Sequence, residues 1–398
     1  MIPSSCVDGS STFIEVMVIE LSCEPSILAL EYGQHDPGGS SEGAVIGTER
    51  MIAAVLTGHG GPEVLEVRHD VAVPHPTRGE VLVEVTAAAV NNTDIWTREG
   101  AYGNADDPHA VAGWQGVALS FPRIQGGDVA GVVVEVGVEG DDAMIGRRVL
   151  IDPTDYADDG DEPTLIAVLG SERDGGFARY VVVQEHQVHD VTDSPLSDAQ
   201  LACLPIAYGT AMGMLERAEL SRGETILVTG ASGGVGLALV QLAHARGARV
   251  VALTTAATSD AVLAAGASYT ISRDDPSIAE RVREAADAGL DVVADVVGGW
   301  VFDQLFPLLA TGGRWVTCGA VADPIVQLDL RTLYLHRRRL IGSTMHTPTQ
   351  FRRLVDDARQ GRIVPRVART YPLTQIHAAQ EDFVTGNHVG KLVLLPGR

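Results

Sequence analysis

Cysteine is scarce in this 398-residue chain, and lysine nearly absent. The four cysteines, Cys6, Cys23, Cys203 and Cys318, form no C-x-x-C pair. That excludes a disulfide framework and a cysteine-built structural zinc site, and reduced thiols fit a cytoplasmic protein. Among the 29 basic residues there is a single lysine, Lys391. The arginine bias reflects either a GC-rich genome or an acidic surface adapted to salt. Base is outnumbered by acid, giving a net charge of −23. Such a surface repels phosphate backbones and anionic membranes, so neither nucleic acid nor membrane is an expected partner. Long apolar runs are missing too. The most apolar N-terminal piece, Phe13–Leu30, carries Glu15, Glu20 and Glu24 and lacks a basic flank, which excludes a secretory signal.

What is present is an ordinary globular balance, 45% hydrophobic and 20% charged, at a length that predicts two domains. Residues 1–50 read as an N-terminal extension, either disordered or the product of a start site placed too early, with Met51 the natural start. From Met51 to about Asp190 short strands punctuated by Gly and Pro dominate, among them Glu80–Val85, Val129–Val136 and Phe177–Val183. An acidic stretch, Asp152–Glu162, lacks the spacing of a calcium loop and reads as a solvated surface loop. From Leu196 strands alternate with helices: Thr225–Thr229, Arg249–Leu253, Tyr269–Ile271, Asp291–Val296, Gly313–Thr317 and Arg339–Gly342. This alternation predicts a doubly wound parallel sheet, an α/β fold. The expected domains are 51–195, 196–343 and a return segment, 344–398.

Val228-Thr-Gly-Ala-Ser-Gly-Gly-Val-Gly236 follows one of these strands and opens a helix. That is the context a dinucleotide fingerprint requires. Gly230, Gly233 and Gly236 are spaced by three. Gly233 and Gly234 let a pyrophosphate approach the backbone, and the helix N-terminus supplies free N–H groups beside Ser232 and Val235. The next strand ends at Thr254, where an NAD site usually has an acid for the ribose 2′-hydroxyl. With no carboxylate to repel a 2′-phosphate, NADPH is the expected cofactor, ahead of NADH.

Taken in order, Ala89-Val-Asn91-Asn-Thr-Asp94, Gly126-Gly-Asp-Val-Ala-Gly131, Gly175-Gly-Phe-Ala-Arg-Tyr180, Ala231-Ser-Gly-Gly-Val-Gly236 and Gly390-Lys391-Leu-Val-Leu394 resemble a medium-chain dehydrogenase/reductase. The similarity is to the zinc-independent quinone oxidoreductase and enoyl reductase branch and covers Met51–Arg398. It implies a GroES-like β-barrel catalytic domain with a Rossmann domain. Zinc members of the superfamily place ligands where this chain has Asn91, Gly127 and Ile206, a set unable to form a three-ligand site. The resemblance further places Asn91 and Tyr102 in the catalytic site. Thr210 then lies on the nicotinamide face, and Gly298, Cys318, Gly319, Ala320, Ser343 and Lys391 lie at the cofactor. A phenol at Tyr102 can donate to a developing enolate. Most histidines are expected to be surface or packing residues, and the run Arg337-Arg-Arg339 a solvated turn before the sixth strand rather than a nucleic-acid patch. The expected activity is hydride transfer from NADPH to a quinone or α,β-unsaturated carbonyl, by a homodimer acting on a small-molecule acceptor. The rival readings are an alcohol dehydrogenase and a nucleotide-binding protein with little turnover.

Overall fold

The computed structural model describes residues 49–102 and 118–397, apart from 159, 161, 288 and 387. The extension read over residues 1–48 lies outside the described residues, as does Trp114, expected from the sequence to help shape the choice of acceptor. The chain opens with strands β1 (Arg50–Leu56), β2 (Leu65–Ala72) and β3 (Glu80–Ala89), then helix α1 (Asn92–Glu99). There follow β4 (Arg123–Ile124), β5 (Asp128–Val136), β6 (Arg148–Ile151), β7 (Thr154–Tyr156), β8 (Leu165–Val168), β9 (Tyr180–Gln184) and β10 (Val188–Asp190). A three-stranded sheet, β2-β1-β4, accompanies a larger one built around β3. Val83, Val85, Val129, Val133 and Phe177 fill the core of this half.

After the short helix α2 (Asp198–Leu201), α3 (Pro205–Arg217) starts on proline, whose missing N–H costs nothing at that position. The parallel unit then runs β11 (Thr225–Val228), α4 (Gly234–Ala245), β12 (Arg249–Thr254), α5 (Ser259–Ala264), β13 (Tyr269–Ser272) and α6 (Ile278–Ala285). It continues through β14 (Leu290–Asp295), α7 (Trp300–Leu305), β15 (Leu309–Thr317), α8 (Leu330–Tyr334) and β16 (Arg339–Gly342). All five pairings are parallel, in the order β13-β12-β11-β14-β15-β16. Every residue of β11 is buried, as expected of a strand covered on both faces. One face packs on α3 and α4, the other on Phe302, Phe306 and Trp315. The order reverses between β11 and β14, which opens a crevice at their carboxyl ends.

The chain then returns through α9 (Pro348–Arg359), β17 (Val367–Pro372), α10 (Ile376–Thr385) and β18 (Lys391–Leu395). Strand β18 joins β3 antiparallel, so the C-terminal segment completes the sheet begun by the N-terminal half. Arg338 departs from expectation. It is buried, donating to Pro307 O at 3.0 Å with its guanidinium over Phe306. Only its neighbours fit a solvated turn: Arg339 pairs with Glu219 on the surface. No helix of the described residues is long and apolar enough to cross a membrane.

Candidate active site at the domain crevice

The glycine-rich turn is built by steric necessity. Gly230 has φ +55°, and a Cβ there would lie 2.8 Å from Val296. A Cβ on Gly236 would lie 2.1 Å from Gly230 O. Gly233 is exposed, with only Gly230 O near its missing Cβ. The first-turn amides of α4, at Gly234, Val235 and Gly236, have no intrahelical acceptors and face the same crevice end. This turn fits a pyrophosphate. Gly234 also has a steric reason of its own: a Cβ there would meet Lys391 Cδ at 2.9 Å. Ser232 O accepts from Gly390 N, which docks the start of β18 over the turn.

The other expected cofactor positions gather at strand carboxyl ends. Thr254 closes β12, its Oγ1 2.6 Å from Thr258 Oγ1. Asp295 closes β14, accepting from Thr229 Oγ1 at 2.7 Å and from the amides of Val297 and Gly298. Gly298, at φ +67°, touches the loop after β15: its missing Cβ would lie 3.2 Å from Ala320 Cβ. Cys318 and Gly319 precede Ala320 in that loop. Burial pushes the Cys318 thiol up to about 12, so it remains a thiol. Ser343 follows β16, its Oγ accepting from Arg217.

Strand register assembles the barrel side. Ala89 on β3 faces Asp128 on β5, and Val393 on β18 faces Ala89. The antiparallel register therefore brings Asn91, Asp128 and Lys391 to one sheet end. Lys391 Nζ donates to Val90 O at 2.8 Å and to Asn91 Oδ1, and lies 3.0 Å from Asp128 Oδ2. Asn91 Nδ2 donates to Asp128 Oδ2 (2.9 Å) and Ala89 O (3.2 Å). Asp128 Oδ1 accepts from the Ile206 amide at 2.7 Å, tying the barrel to α3. Both amide hydrogens of Asn91 and all three ammonium hydrogens of Lys391 are thus spent inside the protein. Asn91 acts here as a tie between segments, and Lys391 meets the cofactor turn with its methylene stem. Beside them Asp94 accepts from Asn91 N at 2.7 Å. Burial pushes the Asp94 carboxyl up to about 7, against the opposing pull of the Asn91 amide and of Lys391.

Tyr102 lies beyond α1, edge-on to Trp96 with ring centroids 5.5 Å apart. Its hydroxyl donates to Thr93 Oγ1 at 2.8 Å. Burial pushes this phenol up to about 12, so it carries its proton at any working pH. Thr210 stands one turn after Ile206 on the same face of α3. The acidic stretch Asp152–Glu162 is no simple solvated loop. Asp152, Thr154 and Asp155 are buried, and Asp152 Oδ1 lies 2.9 Å from Nε2 of the equally buried His346. Composition hid this, because nothing local marks which acids have distant partners.

Two family models match the chain. One described as alcohol dehydrogenase GroES-like domain covers residues 77–193, and one described as zinc-binding dehydrogenase covers residues 234–360. An acryloyl-coenzyme A reductase of Metallosphaera sedula is 33% identical over 355 residues, 86% of this chain and 99% of the relative. The chain belongs to the medium-chain dehydrogenase/reductase superfamily. Human quinone oxidoreductase is 28% identical over 361 residues, 88% of this chain and 99% of that protein. A crystal structure of a candidate alcohol dehydrogenase from Sinorhizobium meliloti is 47% identical, with a TM-score of 0.85 over 88% of this chain and 98% of that one. This member of the superfamily is an oxidoreductase, with the GroES-like and Rossmann halves that the resemblance implied.

One matching model carries zinc in its description, so the donor set is decisive. A Cβ on Gly127 would lie 3.1 Å from Ile206 Cδ1 and 3.2 Å from Leu169 O. The Ile206 side chain and a backbone carbonyl crowd the place where a ligand would stand, and the third position, Asn91, is saturated by Lys391 and Asp128. These residues do not fit a catalytic zinc.

Proposed function

We propose that this oxidoreductase reduces a quinone or an α,β-unsaturated carbonyl with NADPH and without zinc. The observation that carries the reading is the Asn91–Asp128–Lys391 centre, where a cation is already supplied by the chain itself. An ammonium 3.0 Å from Asp128 opposes a second cation at the same place. The names of the human and Metallosphaera relatives support these acceptor classes.

Bound NADPH supplies the hydride. The chain's residues do the rest. The first-turn amides of α4 and the open Gly233 hold the pyrophosphate, and Thr254 presents no carboxylate to a 2′-phosphate. Hydride arriving at the β-carbon of an enone moves an electron pair onto the carbonyl oxygen. In this reading the Tyr102 phenol, whose hydrogen rests on Thr93 Oγ1, turns to stabilise that oxygen and passes it a proton, which solvent replaces. Holding donor and acceptor together in a closed crevice is worth roughly 7–11 kcal/mol of barrier.

We read the outer edge of the Rossmann sheet as the place where two copies meet. Strand β16 is its last strand, and Leu330, Tyr334 and Leu335 beside it are exposed. Sedimentation of the wild type and of Leu335→Glu tests that reading.

A panel of quinones, enals, enoyl thioesters and simple alcohols, assayed with both nicotinamide cofactors alongside elemental analysis, tests the function. Quinone or enone reduction in metal-free protein is the expected result. Alcohol oxidation as the leading activity, or one zinc per chain, would overturn it.

A further inference from the structure

Between β16 and α9 the chain crosses back to the barrel through Ser343–Thr347. In the middle of this crossing Met345 holds a left-handed backbone, φ +51°. That conformation is unfavourable for a residue with a Cβ, and persists only where the surroundings over-determine it. Here they do. Arg217 Nη1 donates to Ser343 Oγ at 2.9 Å and to Met345 O at 3.1 Å, and Arg217 is itself held by Glu162 at 2.7 Å. Tyr156 donates to His346 O at 2.5 Å. The His346 ring is anchored by Asp152 and packs against Phe351, centroids 4.8 Å apart.

Helix α3 yields room for this crossing. A Cβ on Gly209 would lie 2.2 Å from His346 Nδ1, and one on Gly213 would lie 2.2 Å from Met345 O. Two glycines four apart in a helix cost helix stability, and here they buy close approach. Between them stands Thr210, whose Oγ1 lies 3.8 Å from Met345 Sδ. The strained residue therefore points its thioether at the helix face that continues from Ile206 and Gly127.

We propose that Met345 is a selectivity residue for the acceptor, forming a wall of its pocket beside Thr210, and that Asp152, Tyr156, Arg217 and His346 are positioning residues that hold it there. This rests on the functional reading above. A thioether on three rotatable bonds moulds to the flat face of a conjugated carbonyl compound and limits its width.

Met345→Gly keeps the backbone, because glycine is at ease at positive φ. It should raise the kcat/KM ratio of a naphthoquinone over but-3-en-2-one by about tenfold, the scale of a small change in pocket volume. NADPH affinity, from fluorescence titration, should stay within about twofold. Tyr156→Phe should move the ratio in the same direction by less, and should add nothing to Met345→Gly, since it acts through that residue. A merely structural Tyr156 would lower both rates equally and leave the ratio alone. An unchanged ratio in a folded Met345→Gly protein overturns the proposal. So does a tenfold loss of NADPH affinity without a change in ratio, which would assign Met345 to the cofactor. The same ratio is read as dissociation constants of the two acceptors from the complex with oxidised cofactor, so a variant or wild type that binds without turnover still answers for Met345. A wild type that neither reduces nor binds either acceptor overturns the functional reading, and this proposal with it.

Discussion

Lys391 Nζ lies 3.0 Å from Asp128 Oδ2, both side chains buried, one at the start of the last strand and the other at the start of β5. This pair bridges β18 and β5 across the end of β3 and, through the Ile206 amide, fixes α3 against the sheet. Removing one member leaves an uncompensated buried charge. Lys391→Met should therefore destabilise the protein by about 3–5 kcal/mol in urea unfolding. The double variant Lys391→Met/Asp128→Asn should lose less than the sum of the two single changes. Lys391→Arg should also be destabilising, because a planar guanidinium cannot place three hydrogens on three acceptors around a point. A loss below about 1 kcal/mol for Lys391→Met would show that the pair contributes little.

Asp94 sets a pH dependence. Its folded carboxyl titrates at about 7, raised from an ordinary 3.8 by burial. A raised folded value means stability is fully present below the unfolded value and is lost as pH rises through the folded one. The contribution of Asp94 to stability should thus decline between about pH 4 and pH 7. Asp94→Asn keeps an acceptor for the Asn91 amide and removes the titration. Urea midpoints at pH 5 and pH 8 should show the variant gaining on the wild type at the higher pH. Parallel pH slopes for the two proteins would falsify the assignment.

Tyr102→Phe separates proton supply from packing. If the phenol serves the reduced acceptor, kcat and kcat/KM should fall together and NADPH affinity should hold. The loss should approach the 10²–10⁴-fold scale of general-acid assistance for an enal, which needs its enolate protonated. An ortho-quinone, whose reduced anion is stable, should lose little. Full activity on both classes would leave Tyr102 as pocket wall and solvent as the proton source.

Thr254→Asp should reverse cofactor preference. The buried end of β12 presents the hydroxyls of Thr254, Thr255 and Thr258 and no carboxylate among them. A carboxylate there repels a 2′-phosphate and accepts from a 2′-hydroxyl. Titration should show NADPH favoured by the wild type and NADH by the variant. Equal affinities in the wild type would refute the NADPH reading.

The alternation of strands and helices after Leu196, and the glycine turn from Gly230 to Gly236, were legible because period and turn chemistry are local. The strand run at Lys391–Leu395 was legible for the same reason, but its partner was not. That Lys391 meets Asn91 and Asp128 depends on the β18–β3–β5 register, which brings together positions about 300 residues apart. One signal was available: in a chain that uses arginine at every other basic position, a retained lysine marks a site an arginine cannot fill. A second was the pair Gly209 and Gly213 inside a largely apolar helix, which announces a close approach without naming what approaches. The burial of Asp152 and Asp155 gave no signal, since an acidic stretch looks the same whether or not a histidine such as His346 returns to meet it.

The scarcity of lysine has an analytical consequence. Apart from the α-amino group, this chain offers acylating reagents one amine, and that amine is sealed beneath Val90, Asn91 and Asp128. Modification of the side chain then requires the β3–β18 junction to part. A single mass increment, timed against reagent exposure, becomes a clock for the opening of that one seam, with no background from surface lysines.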